Sequence, residues 1–255
     1  MSRLRLITFD VTNTLLRLRG SPGREYANVA KMFGVNIGHD ELDRVYLDVW
    51  AEKKSEHPIY GLSDGLTTKQ WWADFVRRVF CRAGYTGSPV ILEVVAEKLH
   101  EKFSEGKNWE TMPFASDVLK ALCDRGIKLG IVSNFDERLE RTLLTHRLLH
   151  YFDFVVTTVS ARSEKPDPKI FHTALDMAKV NPDDAGHVGD DIINDYFGAR
   201  NVGMHAFLLD RNGDAARQAT SANVAMRPCC VMRGLPDLLK IIDSDFTAVS
   251  ETLKW

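Results

Sequence analysis

Three short polar stretches each follow an apolar run and a fourth lies just before a helix, and together they hold groups able to do chemistry. "DVTNT" begins at Asp10, where the β-branched run Leu4 to Phe9 stops. "SNFD" begins at Ser133, after Ile127 to Val132. "KPDPKIF" carries Lys165, and "GDDIIND" carries Asp190, Asp191 and Asp195 after His187-Val188. A carboxylate such as Asp10 can attack phosphorus once repulsion between the two anions is relieved. A divalent ion shared by Asp10, Asp190 and a further oxygen would relieve it, and hard oxygen donors suit Mg²⁺. Lys165 adds a fixed positive charge. Ser133 and free backbone N–H groups can donate to phosphoryl oxygens. One site is therefore expected to gather Asp10, Thr12, Ser133, Asn134, Lys165, Asp190, Asp191 and Asp195.

Such a site calls for an open parallel sheet, where ligands bind at the carboxyl ends of the strands. From about residue 113 onward the texture fits. Ser116 to Arg125 reads as a helix stopped by Gly126, and Ile127 to Val132 as a strand. Leu139 to Leu149 reads as a helix and Phe154 to Thr157 as a strand. Pro168 suits the first turn of a helix, with Asp167 as its N-cap. His187-Val188 closes a strand, Ile192 to Asn201 is helical, and Met204 to Leu209 is a strand. Leu238, Leu239, Ile241 and Ile242 suggest a last helix. Near-continuous apolar strands mean a parallel sheet covered on both faces, and Leu4 to Phe9 joins it.

Residues 20–108 read as helices only. Tyr26, Val29, Ala30 and Phe33 follow helical spacing, as do Leu42, Val45, Tyr46, Val49 and Trp50. So do Trp72, Phe75, Val76 and Val79, and then Leu92, Val95, Ala96, Leu99 and Phe103. The expected architecture is α/β: a Rossmann-like parallel-sheet core of residues 1–19 and 109–255, with a four-helix bundle of residues 20–108 inserted after the first strand. Within the bundle, spacing puts Trp72 in the core. Tyr60, Trp71 and Trp72 flank an irregular loop and are candidates to line a cavity. Lys53 and Lys54 are expected on a solvated helix face. Asp191 suits a helix N-terminus, whereas Asp195 lies too far along to serve the dipole. His57, His187 and His205 have no ligand spacing and are assigned no chemistry.

The bulk numbers exclude several classes. Net charge is −2, with 33 Lys+Arg against 35 Asp+Glu, and no basic run offers a nucleic-acid footprint. No apolar stretch approaches a membrane span. The N-terminus reaches Asp10 too soon for a signal-peptide core. Cys81, Cys123, Cys229 and Cys230 have no C-x-x-C spacing and suggest neither zinc nor a disulfide framework. A soluble, intracellular protein is expected, most simply a cytoplasmic one.

In order and texture the four stretches resemble the haloacid dehalogenase superfamily, and the helical insertion is similar to its C1-type cap. The resemblance spans essentially the whole chain. It implies a nucleophile at Asp10, phosphate binding by Ser133, Asn134 and Lys165, and Mg²⁺ held by Asp10, the Thr12 backbone carbonyl and Asp190, with Asp195 supporting or completing the metal shell. The implied partner is a small phosphorylated molecule; a protein partner is the other expectation. Thr12 departs from the pattern. Phosphatases of the superfamily usually carry aspartate there, to protonate the leaving group and then activate water. Threonine supplies no such proton near pH 7. General acid–base catalysis typically contributes roughly 10²–10⁴-fold, so Thr12 implies a slow or specialised phosphatase. A binding or regulatory protein is the second reading, and a dehalogenase, which needs neither metal nor leaving-group acid, the third.

Overall fold

The computed structural model describes residues 4–213 and 230–244, which form two compact units. Residues 4–17, 111–135, 147–213 and 230–244 form the first, and residues 18–110 and 136–146 the second. The chain passes between them along β2 (Leu16–Leu18) and β3 (Trp109–Thr111), a two-stranded ribbon that residue periodicity does not reveal.

The first unit is built on a six-stranded parallel sheet. Its centre is β1 (Leu6–Phe9), buried at every residue. On one side lie β4 (Lys128–Ser133) and β5 (Phe154–Thr157); on the other lie β6 (Ala185–Gly189), β7 (His205–Leu209) and β8 (Val231–Met232). The order is β5-β4-β1-β6-β7-β8. Phe9 pairs with Ile131 on one flank and Val188 on the other, so β6 ends one residue and β4 two residues beyond β1. The chain departs to opposite sides of β1, and in such sheets a crevice opens at that switch point, beyond the strand carboxyl ends. Helices α5 (Ala115–Asp124), α7 (Thr158–Ala161), α8 (Pro168–Ala178) and α9 (Gly198–Asn201) return the chain between strands. Ile170, Phe171 and Ala174 of α8 pack with Val132, Val156 and Leu208 in one apolar core. The last helix, α10 (Pro236–Asp243), runs close to its expected span.

The helical unit contains α1 (Pro22–Lys31), α2 (His39–Glu56), α3 (Thr68–Arg82), α4 (Pro89–Ser104) and α6 (Leu139–Thr145). Between α5 and α8 the chain thus sends one helix into this unit, where His146 meets the Gly106 carbonyl. Side chains cap two of the helices: Ser21 begins α1, and Thr67 with Gln70 forms a capping box on α3. Two expectations are corrected here. Trp71, 1% exposed, is the core tryptophan, stacked on Phe75, whereas Trp72 is half-buried. Trp71 and Phe75 are themselves one helical turn apart, so the same pattern supports either face. Trp72 instead sends its indole N–H to Asp136 at 2.7 Å. Lys53 is not solvated: it is 1% exposed, with Nζ 2.6 Å from Asp74 Oδ2 and lying near the Trp71 ring. A lysine can be buried when its ammonium meets a carboxylate, and Asp74 lies on the next helix, where local spacing cannot find it.

Cys81 and Cys123 are free thiols; Cys229 lies outside the described residues. No helix among the described residues is long and apolar enough to cross a membrane.

Candidate active site

Asp10 follows β1, and its amide donates to the Val188 carbonyl at 2.8 Å, extending the strand pairing by one residue. The chain then coils tightly. The amides of Thr14, Leu15 and Leu16 all turn to the Val11 carbonyl, and Asn13 adopts φ 55°, a left-handed conformation that Asn tolerates better than most residues. This coil leaves Thr12 half-buried beside the nucleophile candidate. Asp10 itself is 7% exposed.

Ser133 is the last residue of β4, two residues beyond the partner of Phe9, and its hydroxyl donates to Asp10 Oδ1 at 2.9 Å. Lys165 lies before α8, which starts at Pro168 with Asp167 as N-cap, as the sequence suggests. Its ammonium donates to Asp10 Oδ1 at 2.7 Å and to Asp195 Oδ1 at 2.5 Å. Asn134, expected at the phosphate, bonds the Lys165 backbone. Its amide nitrogen donates to the Lys165 carbonyl at 2.9 Å, and its oxygen accepts from the Lys165 amide at 2.7 Å. Both ends of the side chain thus grip the lysine backbone, so Asn134 positions Lys165.

Asp190 and Asp195 are five residues apart, one more than an α-turn spans. The chain solves this with a π-helical turn over Ile192–Phe197. The amides of both Asp195 and Tyr196 reach the Asp191 carbonyl, at 3.0 and 3.2 Å. Such single turns are frequent at functional sites. Asp191 caps the turn, accepting from the amides of Ile193 and Asn194, each at 2.8 Å. The turn points Asp195 inward, where Oδ2 accepts from the Asp191 amide at 3.0 Å. Gly189 makes room: a Cβ there would lie 2.1 Å from Asp195 Cγ. Gly189→Ala is therefore expected to displace Asp195 and lower the melting temperature by several degrees, measured by calorimetry.

Charge is unbalanced here. Burial alone would lower the Lys165 pKa, but Asp10 and Asp195 push it up to about 12. Burial likewise opposes ionisation of Asp195, yet Lys165 and His187 hold its carboxyl well below the usual range. Asp10 is raised, since burial outweighs Lys165 and the Asp195 charge adds to it. Asp190 is pushed up to about 7 by burial and then by Asp10, Asp195 and Asp191. Carboxylate oxygens of Asp10, Asp190 and Asp195 lie within 4.8 Å of one another.

Two contributors escape sequence reading. His187 is buried in β6 and places Nε2 3.1 Å from Asp195 Oδ1. Arg211, just beyond β7, donates to the carbonyls of Asn13 at 2.5 Å and Thr14 at 3.4 Å, and so braces the coil after Asp10. Its position after a strand was the available signal; a histidine inside a strand gives none.

A family model described as haloacid dehalogenase-like hydrolase matches residues 27–209. Haloacid dehalogenase-like hydrolase domain-containing protein 3 of Bos taurus is 42% identical over 207 residues, covering 81% of this chain and 82% of that protein. Among solved structures, a HAD phosphatase from Thermococcus onnurineus superposes with TM-score 0.59 at 25% identity, over 94% of this chain and 98% of that one. A 2-haloacid dehalogenase from Pseudomonas syringae pv. Tomato superposes with TM-score 0.65 at 21% identity, also over 94% and 98%. The fold is common to enzymes of both chemistries, so the residues of the site must distinguish them.

Proposed function

This chain belongs to the haloacid dehalogenase-like hydrolase family, and from that premise we propose that it is a Mg²⁺-dependent phosphohydrolase of a small phosphorylated molecule, with Asp10 as nucleophile. The observation that carries this reading is the charge imbalance. Three carboxylates converge within 4.8 Å while one ammonium, Lys165, touches two of them. Asp190, pushed up to about 7, sits where a cation is electrostatically missing. Hard oxygen donors at this spacing fit Mg²⁺. Asp10, Asp190 and the Thr12 carbonyl would hold it. Asp195, whose oxygens already accept from Lys165, His187 and Asp191, fixes the groups behind it. When bound, the ion supplies the charge neutralisation that lets one anion approach another.

The residues then divide the work. Ser133 and Lys165 both bond Oδ1 of Asp10, which supports Oδ2 as the attacking oxygen. Oδ2 attacks phosphorus, the bond to the leaving oxygen breaks, and that oxygen departs with the electron pair. Water then hydrolyses the aspartyl-phosphate, returning the Asp10 carboxylate and inorganic phosphate. Thr12 offers the departing oxygen no acidic proton, so good leaving groups are favoured. A haloacid handled without a metal would bring an uncompensated carboxylate beside Asp10, Asp190 and Asp195, which argues against dehalogenation. Thr12 is also what favours a second reading, a binding or regulatory protein that keeps the fold.

Wild-type protein is expected to hydrolyse acetyl phosphate and an activated aryl phosphate with Mg²⁺, and chelator or Asp10→Asn should reduce both to background. Wild type no faster than Asp10→Asn would sink the phosphatase reading; chelator-insensitive halide release from a 2-haloacid would replace it with the dehalogenase.

Asp190 adds a pH dependence. In the metal-free protein it keeps its proton up to about 7, and Mg²⁺ must displace that proton. Titration calorimetry is expected to show Mg²⁺ affinity rising roughly tenfold per pH unit below that value, then levelling off. Without metal, the folded state binds more protons than the unfolded one between 3.8 and about 7. Stability of the chelated protein therefore falls as pH rises through that window.

A further inference from the structure

Thr8 and His187 lie opposite each other on the two central strands, paired in register, at 0% and 1% exposure. Polar side chains inside a parallel sheet are costly unless their hydrogen bonds are met. Here each is met by the other and by the site. Thr8 Oγ1 is 2.8 Å from His187 Nδ1, and His187 Nε2 is 3.1 Å from Asp195 Oδ1. The partners assign the tautomer. A carboxylate only accepts, so Nε2 carries the hydrogen; burial favours the neutral ring, so Nδ1 accepts from the Thr8 hydroxyl. The longer contact from Thr8 to the Gly186 carbonyl, 3.2 Å, is secondary. Phe171 meets the imidazole edge-on, with ring centroids 5.2 Å apart. Gly198 admits that phenyl ring, since a Cβ there would come within 2.8 Å of it. The imidazole is thus fixed at both nitrogens and along one edge. Apolar side chains would fill this space with no desolvation cost, so the polarity of the pair points to what it touches.

We propose that Thr8 and His187 form a buried positioning pair: the hydroxyl sets the imidazole tautomer, the imidazole fixes the Asp195 carboxylate, and Asp195 thereby aims the Lys165 ammonium at Asp10. The last links are the 2.5 Å and 2.7 Å contacts of Lys165. Neither Thr8 nor His187 touches the nucleophile in this arrangement. What the aimed ammonium does rests on the phosphohydrolase reading; the aiming does not, and the two are tested separately.

The variants are Thr8→Val, His187→Leu and His187→Gln, the last retaining a donor near the Nε2 position. Nitrogen-15 NMR of wild type should show His187 protonated on Nε2 with Nδ1 bare, and a Lys165 ammonium signal protected from exchange. His187→Leu should lose that protected signal, and His187→Gln should keep it. In acetyl phosphate hydrolysis at saturating Mg²⁺, His187→Leu should lower kcat by about 10–100-fold with little change in KM, the scale of losing an orienting partner. His187→Gln should recover most of kcat. Thr8→Val should lower kcat less and add nothing in the His187→Leu background, since both act through one chain. A wild-type ring protonated on Nδ1, or a Lys165 signal indifferent to His187→Leu, overturns the proposal. So does full additivity of the two substitutions. Wild type without hydrolysis but with the expected tautomer and protected ammonium would reject the phosphohydrolase and retain the positioning pair.

Discussion

Thr12→Asp is expected to speed Mg²⁺-dependent hydrolysis of unactivated alkyl phosphates by about 10²–10⁴-fold, the usual contribution of a general acid–base group. The two side chains are close in volume, and the position suits the substitution. Thr12 is half-buried two residues after Asp10, on a coil held by three amides turned to Val11 and braced by Arg211. The wild-type side chain cannot protonate a departing alkoxide, so its rate should fall steeply as the leaving group becomes more basic. An aspartic acid there should flatten that dependence and, once ionised, draw a proton from water to resolve the aspartyl-phosphate. The gain should accordingly be small for acetyl phosphate and large for alkyl esters. Kinetics across a graded series of aryl and alkyl phosphates measure this directly. Equal slopes for both proteins would mean that something other than Thr12 limits turnover. The added carboxylate joins an already acidic cluster, so the variant should also depend more strongly on Mg²⁺.

Lys165→Met should be the most damaging single change, to stability and turnover together. The methionine keeps length and apolar stem but removes the ammonium shared by Asp10 and Asp195, in a place where lysine and Asp195 side chains are 2% and 3% exposed. Breaking a buried ion pair from one side typically costs roughly 3–5 kcal/mol, because the remaining charge is stranded. Hydrolysis should drop to background. The pH dependence of the loss is informative. In wild type, Lys165 helps hold the Asp195 carboxyl below its usual range. That stabilisation is present above the unfolded carboxylate pKa and fades as pH falls. In the variant both carboxyls favour their protonated forms, so its stability should rise on mild acidification. Denaturant titrations in chelator should therefore show the gap between the two proteins closing toward pH 4, and Mg²⁺ should narrow it at neutral pH. A gap independent of pH would mean that lost packing, not stranded charge, is the cause.

The sequence makes most of the candidate groups legible for a simple reason: they follow an apolar run or precede a proline-started helix. In a parallel sheet those places share one edge. Asp10, Ser133, Lys165 and Asp195 accordingly meet through direct hydrogen bonds. What pattern cannot supply is the identity of distant partners. Lys53 looks solvated until Asp74 is found beside it. Asn134 gives no sign in the sequence that its amide meets the Lys165 backbone, 31 residues away. The choice between Trp71 and Trp72 fails because both share helical spacing with Phe75, and only packing decides which face turns inward. Periodicity likewise finds α6 without telling which unit it joins.

The wide turn over Ile192–Phe197 bears on how such chains are to be aligned. It absorbs one residue between Asp190 and Asp195 and still delivers the second carboxylate to Lys165. A chain lacking that residue could present the same oxygen from an ordinary α-turn, with the strand before it and the helix after it undisturbed. Counting positions is thus a poor ruler across this segment. Two sequences that differ by a gap here can hold superimposable carboxylates, and two that match without a gap can be out of step. The dependable marker is the glycine before the first aspartate, because the space at Gly189 is set by the carboxylate that must pass over it.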